Sequence, residues 1–526
     1  MGNRSKRNSL TIKSKWYPLL IICLTQILCV TDNSIMFNAL SALVISFKSN
    51  VTTIQLANSI YPLVAGALML SGGLLGLKIG WKKLLSIGLL LLAVGEIMAW
   101  VSPDILTFTW GARVLAGLGA SLAMPAAIGL IPANYSGKDL AIGFGALGAA
   151  VGVASSFGPI VGGWIIDSYG WRIAFFVLAI AFVIALLAAF LIDEQTRVKV
   201  KIKFDYIGTI LFAIAIVLIT LGLINISVWN TTTIGASLIT GLLFLIFFIW
   251  YESKLEKRQE TVLLPSVFIK SKQVRAGLIM TALIFFLTGG LSFVLVTYLQ
   301  VVKEFNALHT GLILSINAIG IILFSIGTPM VIKNINPRKI CQLSVLIAFF
   351  AALMLALSIN SSSLGILFYS SIFIAGAAAG LLSSQAGVIV TSGINEKYAA
   401  QSGGIQGSMR NIGCAIGIAL VGLIMISSLT HSIKHGILKD PITEKLITSK
   451  VKLTKTIPFV SDKQLKTFID SKHYSDAEKK SLIKTNTQSR ITALQISFAS
   501  FGGLILIFFI FTFQIPKSYK SIKNNI

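Results

Sequence analysis

The chain has 526 residues, 55% of them hydrophobic and only 12% charged, with a mean hydropathy of +0.85. A soluble protein of this length carries roughly a quarter charged residues to cover its surface, so the composition excludes a water-soluble enzyme and a disordered chain and points to a protein that crosses a membrane many times. Net charge is +25, from 44 Lys and Arg against 19 Asp and Glu; the basic residues fall between long apolar runs and not on one polar face with aromatics between them, which excludes nucleic-acid binding and reads as a topology signal.

A helix needs about 20 apolar residues to cross about 30 Å of hydrocarbon. About fourteen such runs are predicted, at approximately 17–46, 54–77, 84–101, 105–131, 140–166, 172–192, 206–227, 233–251, 276–299, 309–332, 339–359, 364–392, 402–428 and 491–514. The first is too long for a signal h-region and lacks a clear small-residue cleavage site, so it is expected to be retained as a span. Several runs are rich in Gly and Ala, which favours close helix packing. Cys23, Cys29, Cys341 and Cys414 all lie inside apolar runs with no CxxC or Cys/His spacing, so no disulfide, metal or cofactor is expected.

With the N-terminus placed in the cytoplasm, 26 Lys and Arg fall on inside segments and only Lys48, Arg172 and Lys303 on short outside loops. The positive-inside rule is met, and an even number of spans puts both termini inside. The outside segment at about 429–490 carries 13 basic residues; segments of this length translocate regardless of charge. Its mixed-charge stretches, Ser461–Ser471 and Ser475–Asn486, read as amphipathic helices of a solvated cap, or as a lid for a partner or substrate.

Burying an ionisable group in a span costs several kcal/mol, so such groups are rare and commonly functional. Only Asp32 and Glu96 among the acids, and Arg113 and Arg410 among the bases, lie deep in predicted spans; Asp104 and Asp167 sit at outer ends and Asp205 at an inner end. At about 1.5 Å per residue, Asp32 lies roughly 22 Å and Glu96 and Arg113 roughly 18 Å above the inner face. The expectation is that Asp32 faces Arg113 across a polar cavity and takes up and releases a proton, with desolvation opposing its charge and the guanidinium favouring it; the bland alternative is a fixed ion pair. Glu96 reads as a second proton or cation site or as a structural partner of Arg113.

Several sequence segments then carry a resemblance. Gly148, Gly152, Gly158-Pro159 and Gly162-Gly163 in span five match the GxxxGPxxGG ending of the antiporter motif of the major facilitator superfamily; spaced glycines admit a neighbouring helix and Pro159 removes a backbone donor. Arg113-Val-Leu-Ala-Gly117-Leu-Gly119-Ala120 resembles the RxxxGxGA motif, whose Arg the family links to proton transfer. Gly73 through Lys78, Gly80, Lys82 and Lys83 resembles the first cytoplasmic loop motif GxLaDRxGRR, but Leu77 stands where the motif has Asp, so the latch that Asp supplies is weakened or replaced. Asp32-Asn-Ser34-Ile35 resembles the DxTI start of the first-span signature of the fourteen-span drug:proton antiporters, although Phe37 and Ser41 replace its later Asn and Pro. Further likenesses are Trp171-Arg172 with Phe175-Phe176, Tyr298-Leu-Gln300 with Gly311, and Ser402-Gly-Gly404 with Arg410, Gly413 and Gly417.

The resemblance implies an all-α membrane protein of the major-facilitator type: two six-helix bundles plus two inserted central helices. It divides the chain into a cytoplasmic tail 1–16, an N-terminal bundle 17–192, a linker with two inserted helices 193–275, a C-terminal bundle 276–514 that includes the outer segment 429–490, and a cytoplasmic tail 515–526. It implies a multi-pass, monomeric protein of a bacterial cytoplasmic membrane, acting as a proton-coupled exporter of small molecules by alternating access; no nucleotide motif suggests ATP drive. By family geometry the cavity candidates are Gln26, Asn33, Asn58, Tyr61, Trp110, Tyr298, Asn317, Gln385, Gln406 and Arg410. Two deep acids suit a lipophilic or cationic drug; Arg410 suits an anionic metabolite or siderophore-like compound, or bonds helix carbonyls. A transporter-like receptor or scaffold is the alternative of another class, and catalysis is not expected.

Overall fold

The computed structural model describes residues 16–135, 137–192, 203–225, 230–331, 336–360, 364–395, 398–439, 459, 461–470 and 474–518. Most of both terminal tails, the start of the 193–275 linker and 440–458 of the outer segment lie outside the described residues. Among the described residues there is no strand, and fourteen helices are long and apolar enough to cross a membrane.

In chain order the helices are α1 (Tyr17–Asn38), α2 (Leu40–Ser46), α3 (Val51–Ile79), α4 (Trp81–Val101), α5 (Val114–Asn134), α6 (Gly137–Tyr169), α7 (Trp171–Ala189), α8 (Tyr206–Ile224), α9 (Thr231–Lys257), α10 (Val267–Lys270), α11 (Lys272–Thr297), α12 (Ala307–Val331), α13 (Pro337–Ser358), α14 (Ile366–Thr391), α15 (Ala399–Lys439), α16 (Asp462–Asp470), α17 (Asp476–Ile507) and α18 (Phe509–Thr512). Many of them start where a polar side chain accepts the first free amide: Asn50 takes Thr53 N, Asp205 takes Gly208 N, Asn230 takes Thr233 N, Ser271 takes Val274 N and Asn336 takes Lys339 N. Each such cap contributes about 1 kcal/mol to a helix end. Gly80 has φ +94 and turns α3 into α4, a conformation that a side chain would strain.

Helices α1 and α3–α7 pack as one bundle, and α11–α15 with α17 as the other. Helix α8 packs on its partner α9, but also on α3 and α15, one from each bundle. The inserted pair therefore sits against the seam, with α9 largely exposed along its apolar face.

The structure departs from the predicted spans in three places. The 17–46 run breaks at Ala39 into α1 and α2. Helix α15 continues past 428 to Lys439, and α17 begins at Asp476, so both run well beyond the apolar core into the outer segment. The reason is local: a reciprocal capping box between Ser475 and Glu478 starts α17 far outside its apolar stretch. The first amphipathic stretch is present as α16, whose Asp462 accepts from Asn486 and Thr487 and pairs with Arg490 of α17.

Candidate functional site

The N-terminal bundle brings Asp32, Glu96 and Arg113 together in one layer, as depth along the spans anticipates, but Asp32 and Arg113 meet in direct contact and not across the expected polar cavity. Arg113 Nη1 donates to Asp32 Oδ1 at 2.8 Å and to Glu96 Oε1 at 3.4 Å, and all three side chains are at most 1% exposed. Three helices make this possible. On α1, Asn33 and Ser34 donate back to the carbonyls of Cys29 and Val30, while Asp32 reaches across to Arg113 inside the bundle. On α4, Gly95 admits α5 so closely that a Cβ there would lie 2.8 Å from Ala116 N; this contact carries the neighbouring Glu96 to Arg113. Before α5 the chain winds through a π turn, Thr107–Arg113, that ends on the arginine itself, a geometry often found at functional positions.

The guanidinium also stacks between rings, with Tyr61 at 4.8 Å and Phe175 at 5.8 Å. Arg113 Nε and Nη2, Asp32 Oδ2 and Glu96 Oε2 are buried without a hydrogen-bond partner. The cluster thus holds spare donors and acceptors, enough for a second arrangement of the same three groups.

The antiporter-motif residues of α6 face two ways. Gly158 and Gly162 lie against Ser34 and Ile35 of α1, while Gly152 and Gly163 lie against Ile322 and Ala307 of α12 in the other bundle. The motif sits on the seam. There, at the end assigned to the outside, Asn38 donates to the Pro159 carbonyl (2.6 Å), Gln300 donates to the Asn38 carbonyl (2.7 Å) and accepts from Ser41 N (3.0 Å). The Asp167 carboxylate accepts from Ala307 N (3.0 Å) and Leu308 N (2.8 Å), capping α12 from across the seam. Sequence reasoning did not assign Asn38, Gln300 or Asp167 to a site; nothing in the sequence of one helix marks which amide faces the other bundle, and Asp167 reads only as a span-end acid.

The loop motif meets the start of the inserted segment. Lys78 lies over the rings of Phe204 and Tyr206, at 5.8 and 5.7 Å, at the start of α8. Leu77, in place of the motif's Asp, precedes this lysine, and Gly73 packs against Gly404 of the other bundle.

The remaining cavity candidates divide. Gln26, Asn58 and Tyr61 are buried in the N-terminal bundle, with Asn58 Nδ2 unpartnered, and Asn33 is half-buried. Gln406 bonds Ser402 and Gln385 bonds Ser384, each within its own helix. Two are committed to packing in the C-terminal bundle: Tyr298 donates to the Asn360 carbonyl and packs at a tilt against the Phe368 ring, and Asn317 donates to the Ile372 carbonyl. Trp110 is not in the interior; it stands 49% exposed on the π turn. Arg410 has the Phe285 ring at 5.6 Å and an unpartnered Nε. A further buried acid, Glu252, had read as a loop residue because it lies one residue past the predicted end of its span; it accepts from Leu264 N.

Comparison with known proteins agrees with this architecture. The chain is 27% identical over 433 residues to the riboflavin transporter RibZ of Clostridioides difficile, covering 80% of this chain and 91% of that one. It is 24% identical over 437 residues to a probable actinorhodin transporter of Streptomyces coelicolor (80% and 75% covered), and 26% identical over 423 residues to the tetracenomycin C resistance and export protein of Streptomyces glaucescens (78% and 76%). Among solved structures, an inward-facing bacterial homologue of the lysosomal transporter Spinster superposes with a TM-score of 0.62 at 13% identity, covering 96% of this chain and 98% of that one. The peptide transporter POT in complex with sulfate gives 0.60 at 17% identity, covering 94% and 93%. The sequence profile of the Major Facilitator Superfamily matches residues 22–205 and 204–418, and the chain belongs to that superfamily of membrane transporters.

Proposed function

We propose that the chain is a proton-coupled exporter of a small organic molecule, working by alternating access in a bacterial cytoplasmic membrane with both termini inside. The observation that carries this reading is the buried Asp32–Arg113–Glu96 cluster. Two carboxylates and one guanidinium leave one negative charge uncompensated when all are ionised. An uncompensated charge in so dry a site costs several kcal/mol, so the cluster is neutral when one carboxyl carries a proton. Losing that proton changes the charge at the heart of one bundle, and the unpartnered donors of Arg113 accommodate the change.

The second half of the cycle is the seam. Proton loss or substrate binding shifts the bundles only through a different affinity for the two arrangements. The outer contacts of Asn38, Gln300 and Asp167 close one arrangement and break in the other. Export of a small molecule follows the relatives named for actinorhodin and tetracenomycin C. A cationic substrate drew its support from two deep acids, but both are engaged by Arg113, so the cluster offers a substrate no free negative charge in this arrangement.

The test is reconstitution in liposomes with an imposed pH gradient, following riboflavin and ethidium flux. Gradient-driven flux of either, lost with a protonophore and reduced at least about tenfold in Asp32→Asn with the protein still folded, is the expected result. Full gradient-driven flux in Asp32→Asn removes the proton role.

A further inference from the structure

Among the described residues, the C-terminal bundle encloses one arginine, Arg410, that no hydrogen bond or ion pair answers. Arg410 lies on α15 nine residues beyond Gln401, about 13 Å along the helix axis. Among the described residues, the other buried or half-buried arginines are all hydrogen-bonded. Arg113 holds two carboxylates, Arg490 holds Asp462 and the Val301 carbonyl, Arg172 holds two carbonyls, and Arg275 and Arg338 hold Gln514 and the Ile515 carbonyl. Arg410 makes no such bond, neither to an acid nor to a helix carbonyl; its guanidinium lies over the Phe285 ring at 5.6 Å, and its Nε is buried without a partner. The side chain is packed around by protein yet keeps part of its surface accessible.

No acid is at hand to neutralise it. From 276 to 428 the sequence holds only two, Glu304 and Glu396, both between spans. The two deep acids of the other bundle, Asp32 and Glu96, are held by Arg113. A guanidinium taken out of water without a counterion is costly, so the charge is kept for something that arrives. A guanidinium offers a planar fork of donors that fits a carboxylate or acidic phenolate with two parallel bonds. The ring of Phe285 backs one face of that fork, and an apolar wall beside a fixed cation suits an aromatic ring bearing the acid.

We infer that Arg410 is the receptor for an acidic group on the transported molecule, and that the substrate class is a small aromatic organic acid. This rests on the reading of the chain as an exporter and names its cargo. It also separates two tasks: the proton is carried in one bundle and the substrate's charge is read in the other, so the two ligands couple through the motion of the halves without touching.

The test uses two dyes with the same xanthene core and opposite charge, fluorescein and rhodamine 6G. Binding to the detergent-purified full chain is measured by fluorescence anisotropy, with folding checked by thermal unfolding. Wild-type protein is expected to prefer fluorescein. Arg410→Ala should weaken fluorescein binding about tenfold to a hundredfold, the span expected for hydrogen bonds to a charged group, and leave rhodamine 6G unchanged. Arg410→Lys, a point charge without the fork, should recover part of the loss. Because Arg410→Ala removes an unpaired buried charge, its unfolding temperature should not fall. Wild-type protein that binds fluorescein no more tightly than rhodamine 6G, or an Arg410→Ala variant that weakens both dyes equally, overturns the inference. The exporter reading is scored separately: fluorescein binding that depends on Arg410, with no gradient-driven flux of either dye in liposomes, leaves the site standing and removes the exporter.

Discussion

Arg113 in the N-terminal bundle lies within 3.4 Å of two carboxylates and between two aromatic rings, whereas Arg410 in the C-terminal bundle has one phenyl ring and no hydrogen bond. Both are deep in spans of one chain, and both bundles are built from six packed helices of similar composition. The difference lies in what answers the charge. A charge answered from within its own bundle can be switched by a proton; a charge left unanswered waits for a ligand.

The sharpest way to break that comparison is to remove each arginine in turn. Arg113→Ala leaves Asp32 and Glu96 buried together with no cation, and breaking a buried pair in this way costs about 3–5 kcal/mol. The expected result is a steep loss of folded protein and a clear fall in unfolding temperature in detergent. Arg410→Ala, in contrast, should leave that temperature where it was or raise it. Equal effects of the two substitutions would show that the bundles do not differ in the way the geometry indicates.

The seam between the bundles comes next in size. A Cβ on Gly163 would lie 2.5 Å from the Ala307 carbonyl oxygen, and the neighbour is backbone, which cannot swing aside. Gly163→Ala should disfavour the closed outer seam by about 1–3 kcal/mol while sparing the arrangement in which the seam is open. A cysteine introduced as Ser41→Cys, in a background without the native cysteines, should then react faster with a membrane-impermeant maleimide; an unchanged rate would place the resting seam elsewhere. Gln300→Ala acts at the same end through hydrogen bonds and not through packing. It removes two hydrogen bonds across the seam, each about 0.5–1.5 kcal/mol net, and should raise the same labelling rate by about fivefold to a hundredfold without touching the charge cluster.

The parts of this molecule that were legible in its sequence are those that hydropathy or charge marks. Apolar runs of bilayer length gave the fourteen spans, and depth along them was enough to place Asp32, Glu96 and Arg113 in one layer, because helices of near-equal rise cross the same slab. Neutral polar residues were not legible in that way. Tyr298 and Asn317 look from the sequence like cavity residues, yet each bonds a carbonyl of its own bundle, while Gln300, noted from the sequence only as part of a family-like segment, reaches across the seam to the Asn38 carbonyl. What decides between these fates is which neighbour a helix face meets, and the sequence of one helix does not contain that. The rings of Phe204 and Tyr206 show the same limit. Leu77 told of a missing Asp, but not that an inserted helix more than a hundred residues later supplies two rings to Lys78.

The smallest expected effect concerns the turn that aims Arg113. Asp104 lies at the outer end of the π turn and accepts from Thr107 N at 2.8 Å, and the backbone N–H it accepts from Thr107 holds its carboxyl below the usual carboxylate range. A group whose acidity is strengthened by folding contributes stability that is fully present above its unfolded pKa and is lost as pH falls through its folded pKa. Asp104→Asn should therefore lower the unfolding temperature slightly at neutral pH, and the gap between variant and wild type should close as the medium is made acidic enough to protonate Asp104. Water reaches this carboxyl freely, so the gap will be small and weaker still in high salt. A gap that widened on acidification would mean that Asp104 does not cap the turn, and the path from that cap to the position of Arg113 would have to be sought in the packing of α4 against α5 alone.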